Sequence, residues 1–152
     1  MGKVQSPPPG HEVISKWGSQ DKNDPTLLNW QMRLNYSRRV LNNLRLIDTW
    51  SDNQRFVDGS LQLRYIDSAD PWIDKGSAID LIKSFSYDDT HFELKLNQLD
   101  RMVYVWYQTR LTKPVEESTN PVNRIKLHAD VVSDSYKSTI SLSWRSWRCH
   151  RG

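Results

Sequence analysis

Leu28, Trp30, Met32 and Leu34 alternate with Asn29, Gln31, Arg33 and Asn35. An apolar side chain at every second position describes a strand with one buried face and fits no helix, because successive strand residues point to opposite sides of a sheet. The same period runs through residues 13–17, 44–50, 61–66, 91–96, 102–111, 122–128 and 139–144. Turn-forming pairs separate these runs: Asp24-Pro25, Asn42-Asn43, Asp58-Gly59, Asp70-Pro71 and Asn120-Pro121. One stretch departs from the period. Ile79, Leu81, Ile82 and Phe85 follow helical spacing after Ser77, a good N-cap residue, which predicts a short helix or turn connecting two strands. Eight or so short strands without βαβ alternation predict an all-β sandwich of two antiparallel sheets. Trp30, Met32, Leu34, Leu44, Leu46, Val103, Val105, Ile125 and Leu127 are expected between the sheets.

The 152 residues suit one domain, and seven Trp, six Tyr and three Phe supply the apolar area for its core. Residues 12–145 are read as that domain, residues 1–11 as a stiff leader around Pro7-Pro8-Pro9-Gly10, and residues 146–152 as a tail. The 21 basic and 18 acidic residues are spread along the chain, giving a formal charge of +3, so no nucleic-acid footprint is expected. Arg145, Arg148 and Arg151 interleave with Trp144 and Trp147, a stacking pattern outweighed by the ordinary behaviour of a solvated tail. No run reaches the roughly 18 apolar residues of a membrane helix, so no membrane insertion is expected. Cys149 stands alone, so no internal disulfide can staple the fold.

Three polar residues fall on faces that the alternation turns inward. Lys16 shares a face with Ile14, Asp48 with Leu44 and Leu46, and Asn123 with Ile125 and Leu127. Burying any of them alone is costly, and the simplest partners are each other. The bland alternative makes Lys16 a solvated strand end, Asp48 a turn cap and Asn123 a loop residue.

The succession of Lys16, Trp30-Gln-Met-Arg-Leu-Asn35 and Leu46-Ile-Asp48-Thr49 resembles the collagen-adhesin, or Cna-type, domain of Gram-positive surface proteins. Ala78-Ile-Asp-Leu-Ile-Lys-Ser-Phe85, Tyr104-Val-Trp-Tyr-Gln-Thr-Arg-Leu-Thr112 and Val122-Asn123-Arg-Ile continue that resemblance, which extends from about Glu12 to Trp144. The ending Trp147-Arg-Cys-His-Arg-Gly152 departs from it. The resemblance implies an immunoglobulin-like sandwich on the bacterial cell surface, attached to the cell wall through parts outside this chain. It also implies an autocatalytic isopeptide bond between Lys16 and Asn123, promoted by Asp48.

Apolar surroundings favour the neutral amine of Lys16, the nucleophile, and a protonated Asp48 able to donate to the Asn123 side-chain carbonyl. Folding supplies proximity, so no cofactor or metal is expected, and the reaction occurs once per molecule rather than as enzyme turnover. Such a link would take the place of the missing disulfide.

A collagen-like host matrix protein and neighbouring adhesin domains are the partners that the resemblance implies. Trp17, Trp50 and Trp72 are candidate contacts, though each is as readily explained by packing, and the ligand-binding residues stay unassigned. In collagen adhesins the ligand is clasped between two such domains. His11, His91, His128 and His150 lie in separate segments without metal-ligand spacing, and no nucleophile motif accompanies them, which argues against a hydrolase.

Overall fold

The computed structural model describes residues 13–143, in which eleven strands form two sheets. They are β1 (Ile14–Gln20), β2 (Leu27–Leu34), β3 (Leu44–Trp50), β4 (Gln54–Phe56), β5 (Gln62–Ala69), β6 (Trp72–Ser77), β7 (Ile82–Tyr87), β8 (His91–Leu96), β9 (Val103–Leu111), β10 (Val122–Ala129) and β11 (Val132–Thr139). One sheet runs β1-β2-β9-β5-β6 with the short β4 on β9, and the other runs β11-β10-β3-β8-β7. Every pairing is antiparallel.

All nine side chains expected in the core are buried, joined by Ile14, Leu28, Phe92 and Leu94 from the facing strands. β2 shows the cause: its exposure alternates strictly, with Leu28, Trp30, Met32 and Leu34 inward. Burying each such side chain contributes about 1.5–3 kcal/mol relative to leaving it in water. Asn35 then stops the strand. Its backbone is left-handed at φ 62, a region that Asn tolerates, and its amide donates to the carbonyl oxygens of Arg39 at 2.8 Å and Arg101 at 3.2 Å.

The expected short helical connection is a single 3-10 turn, Ile79–Leu81, after which Ile82 enters β7. Ser77 does accept from the Ile79 N–H, at 3.2 Å, but neither Ile82 nor Phe85 continues a helix. One expectation needs correction: the last strand is Val132–Thr139 and residues 140–143 are not in a strand, since β11 alternates exposed with only half-buried residues and has no apolar face to mark it in the sequence. The leader 1–11, the tail 146–152 and the residues Trp144, Arg145 and Cys149 lie outside the described residues.

Candidate functional site

Lys16, Asp48 and Asn123 meet inside the sandwich. β1 carries Lys16 opposite Met32, β3 carries Asp48 between Phe92 and Ile125, and β10 carries Asn123 opposite Trp50. Lys16 is 1% exposed, and Asp48 and Asn123 are fully buried. Lys16 is therefore not a solvated strand end, and Asp48 and Asn123 sit within strands rather than capping a turn or lying in a loop. Lys16 Nζ lies 3.0 Å from Asp48 Oδ2, close enough for a direct ion pair, although the approach is not aligned as a hydrogen bond to that oxygen.

A fourth residue joins them. Tyr107, on β9 opposite Trp30, projects its hydroxyl into the centre of the group. Lys16 Nζ donates to this hydroxyl at 2.9 Å, Asn123 Nδ2 donates to it as well, and the hydroxyl itself donates to Asp48 Oδ1 at 2.7 Å. Lys16 Nζ also lies 4.5 Å from the Tyr107 ring centroid and 5.3 Å from that of Trp30, within cation–π range. Phe92 closes the site by meeting the Tyr107 ring edge to face, 5.0 Å between centroids.

This arrangement departs from expectation at one bond. Asp48 was expected to donate to the Asn123 carbonyl, whereas Tyr107 stands between them and Asn123 Oδ1 accepts no hydrogen bond. Asn123 still lies near enough to Asp48 to pull its carboxyl downward. Tyr107 was legible in principle, since it follows Val103 and Val105 on the inward face of β9.

Burial dominates the electrostatics. It pushes the Lys16 amine below its ordinary range, against the raising effect of the Asp48 charge. It pushes the Asp48 carboxyl up, against the Lys16 charge and the Tyr107 hydrogen bond. Burial and the Asp48 charge lift the Tyr107 hydroxyl well above its usual value, so it stays protonated. Both members of the ion pair are thus driven toward a neutral amine and a neutral acid sharing one proton.

A second polar chain braces β10 beside Asn123. Trp30 Nε1 donates to Thr109 Oγ1 at 2.8 Å, Thr109 donates to Gln54 Oε1 at 2.7 Å, and Gln54 Nε2 donates to the Val122 carbonyl at 3.1 Å. Neither Gln54 nor Thr109 was singled out from the sequence, yet both are fully buried.

The outer face of the β1-β2-β9-β5-β6 sheet carries an aromatic array. Tyr104 meets Trp17 edge to face at 6.2 Å and Trp72 at 4.9 Å, and Trp72 meets Trp106 at 6.0 Å. Beside it lies a groove of about 680 Å³ lined by Asn29, Gln62, Arg64, Trp72, Trp106 and Gln108. Of the three candidate contact tryptophans, Trp17 and Trp72 are 40% and 46% exposed, while Trp50 is 4% exposed. Trp50 packs on Phe56 and donates Nε1 to the Asp89 carbonyl, which removes it as a ligand contact. Among the described residues no cluster of His, Cys, Asp or Glu is placed to hold a metal ion, and no helix is long and apolar enough to cross a membrane.

The family model described as Collagen binding domain matches residues 11–136. A wall-associated protein of Streptococcus mutans is 26% identical over 137 residues, covering 80% of this chain and 30% of that protein. The chain therefore spans less than a third of this curated relative. The collagen binding subdomain of the Enterococcus faecalis surface protein ACE superposes with a TM-score of 0.67 at 12% identity, covering 85% of this chain and 96% of that one. A structure of the E. faecalis MSCRAMM ACE, described as binding its ligands by the collagen Hug model, gives 0.72 at 13% identity, covering 91% and 51%. The collagen adhesin CNA of Staphylococcus aureus gives 0.63 at 12% identity, covering 84% and 48%. At such identities the structures speak to the fold, which is that of the immunoglobulin-like adhesin domains.

Proposed function

The chain belongs to the Collagen binding domain family of surface adhesins, and from that premise we propose that it is a Gram-positive cell-surface adhesin domain locked by an amide bond from Lys16 Nζ to Asn123 Cγ. The observation that carries the reading is the closed pocket itself, in which a lysine, an aspartate and an asparagine from both sheets are buried within reach of one hydroxyl.

Asp48 takes a proton from the Lys16 ammonium, and the freed amine attacks the Asn123 carboxamide carbon. The neutral acid then turns to support the charge developing on Asn123 Oδ1, an oxygen that accepts no hydrogen bond before attack. Ammonia leaves and an amide remains. The protein is then its own product, and no turnover follows.

Intact-mass measurement tests this directly. The wild-type chain should be lighter than its sequence by one ammonia, and digestion should yield a branched peptide containing Lys16 and Asn123. Lys16→Ala, Asn123→Ala and Asp48→Ala should each restore the full mass. A wild-type chain of full sequence mass sinks the proposal.

A second reading concerns the ligand. The exposed Trp17 and Trp72 beside the outer groove favour a contact with a collagen-like host protein, with the groove as one wall of a binding site that neighbouring domains complete. Wall attachment, through parts outside this chain, accords with the wall-associated relative.

A further inference from the structure

We propose that Tyr107 is a catalytic residue of the crosslinking reaction, its hydroxyl passing a proton from the attacking nitrogen of Lys16 to the departing nitrogen of Asn123. This rests on the Lys16–Asn123 bond proposed above and adds a role which that bond does not by itself require.

The geometry singles the hydroxyl out. After attack, Lys16 Nζ carries a proton it must lose, and Asn123 Nδ2 must gain one before its bond to carbon can break. Both nitrogens hydrogen-bond to the same oxygen, that of Tyr107. Asp48 Oδ1 accepts from that hydroxyl at 2.7 Å and so holds it between the two nitrogens, although Asn123 also acts on the carboxyl directly. Phe in place of Tyr107 would fill the same space between Phe92 and Phe56, so packing alone does not account for the hydroxyl.

The protons balance. The Lys16 ammonium gives one proton to Asp48, leaving an amine with two. The amine lone pair forms the bond to Asn123 Cγ, and the carbonyl electron pair moves to Oδ1. Once Asp48 is neutral the Tyr107 hydroxyl turns from Asp48 Oδ1 toward Nδ2, and one of the two protons on Nζ passes to the Tyr107 oxygen while the hydroxyl's own proton passes to Nδ2. The Oδ1 electrons re-form the carbonyl, the Cγ–Nδ2 bond breaks with its pair on nitrogen, and ammonia departs. Nζ keeps one proton as an amide, Tyr107 is restored, and the proton on Asp48 leaves with ammonia as ammonium. Because its hydroxyl is held well above its usual pKa, Tyr107 works as a neutral relay and not as a phenolate.

The test follows the mass of the full chain with time after a short pulse of cell-free synthesis, in molecules already resistant to protease. Tyr107→Phe should lose ammonia on the order of a hundredfold more slowly than wild type, the range expected for loss of a positioned proton donor and acceptor. The Lys16→Met and Lys16→Met/Tyr107→Phe pair, neither able to crosslink, measures the purely structural cost of removing the hydroxyl. If Tyr107→Phe does not fold, a ring-fluorinated tyrosine at 107 keeps the hydroxyl and its shape but changes its acidity, and should change the rate of ammonia loss at fixed pH. Wild type at full sequence mass defeats the underlying bond. Wild type that crosslinks, with Tyr107→Phe equally fast or with the fluorinated residue leaving that rate unchanged, defeats the relay and spares the bond.

Discussion

A lysine and an aspartate buried against each other change what acid and base do to the protein. Lys16→Met removes the charge that draws the Asp48 carboxyl down and leaves burial to push it up. A carboxyl whose folded pKa exceeds its unfolded value binds its proton more tightly in the native state. Its stabilising contribution is therefore present in acid and is lost as pH rises from about 4 through the folded pKa. Lys16→Met should accordingly melt at a higher temperature near pH 5 than near pH 8, and the double variant Lys16→Met/Asp48→Asn should lose that difference. Thermal melts at the two pH values decide it, and an equal or opposite trend in Lys16→Met refutes the buried-acid account. Alternation alone placed Lys16, Asp48 and Asn123 inward, because each shares a strand face with Ile or Leu. Tyr107 escaped notice because tyrosine is at home on either face of a sheet, and its role depends on a meeting of four strands that no local pattern encodes.

At the scale of elements, β1 reaches the site only because Gly18 lets it lie flat on Trp30. The two residues are paired across β1 and β2, and a Cβ on Gly18 would stand 2.4 Å from the Trp30 ring and 2.9 Å from Ile140. Trp30 cannot withdraw, since it is fully buried and its Nε1 is bonded to Thr109. Gly18→Ala should therefore destabilise by about 1–3 kcal/mol, the usual cost of overpacking. Denaturant midpoints of Gly18→Ala in the Lys16→Met background measure it without the crosslink, and an unchanged midpoint would mean that β1 shifts freely. Long alternating strands such as β2, β3 and β9 are legible because apolar residues dominate one face of each, with Asp48 and Thr109 the polar exceptions on β3 and β9. β4 has three residues, β6 is largely exposed, and β11 carries Asp134 and Ser138 among its partly buried positions, so their pairing is set by neighbours and not by their own pattern.

Across the whole molecule, a bond from β1 to β10 would join the first strand of one sheet to the next-to-last strand in the order of the chain, enclosing about a hundred residues. Closing such a loop contributes roughly 4–5 kcal/mol, and Asn123→Ala should lower Tm by on the order of 10 °C. The same connection leaves the outer face of the β1-β2-β9-β5-β6 sheet free, so ligand contact and crosslinking should separate. The groove beside Trp72 and Trp106 is open, and an open groove covers one side only of a rod-like ligand. The chain spans about half of the ACE structure described by the collagen Hug model. The isolated domain should therefore bind triple-helical collagen weakly or not at all, and joining it to a neighbouring domain should raise affinity. Trp72→Ala should reduce that raised affinity by about tenfold or more, the effect of losing an aromatic anchor, while the ammonia loss in intact mass stays complete. Surface-coupled collagen titrated with the single and joined domains reads both effects. Tight, saturable binding by the isolated domain would overturn the need for a second wall, and joined-domain binding indifferent to Trp72→Ala would move the contact away from this groove.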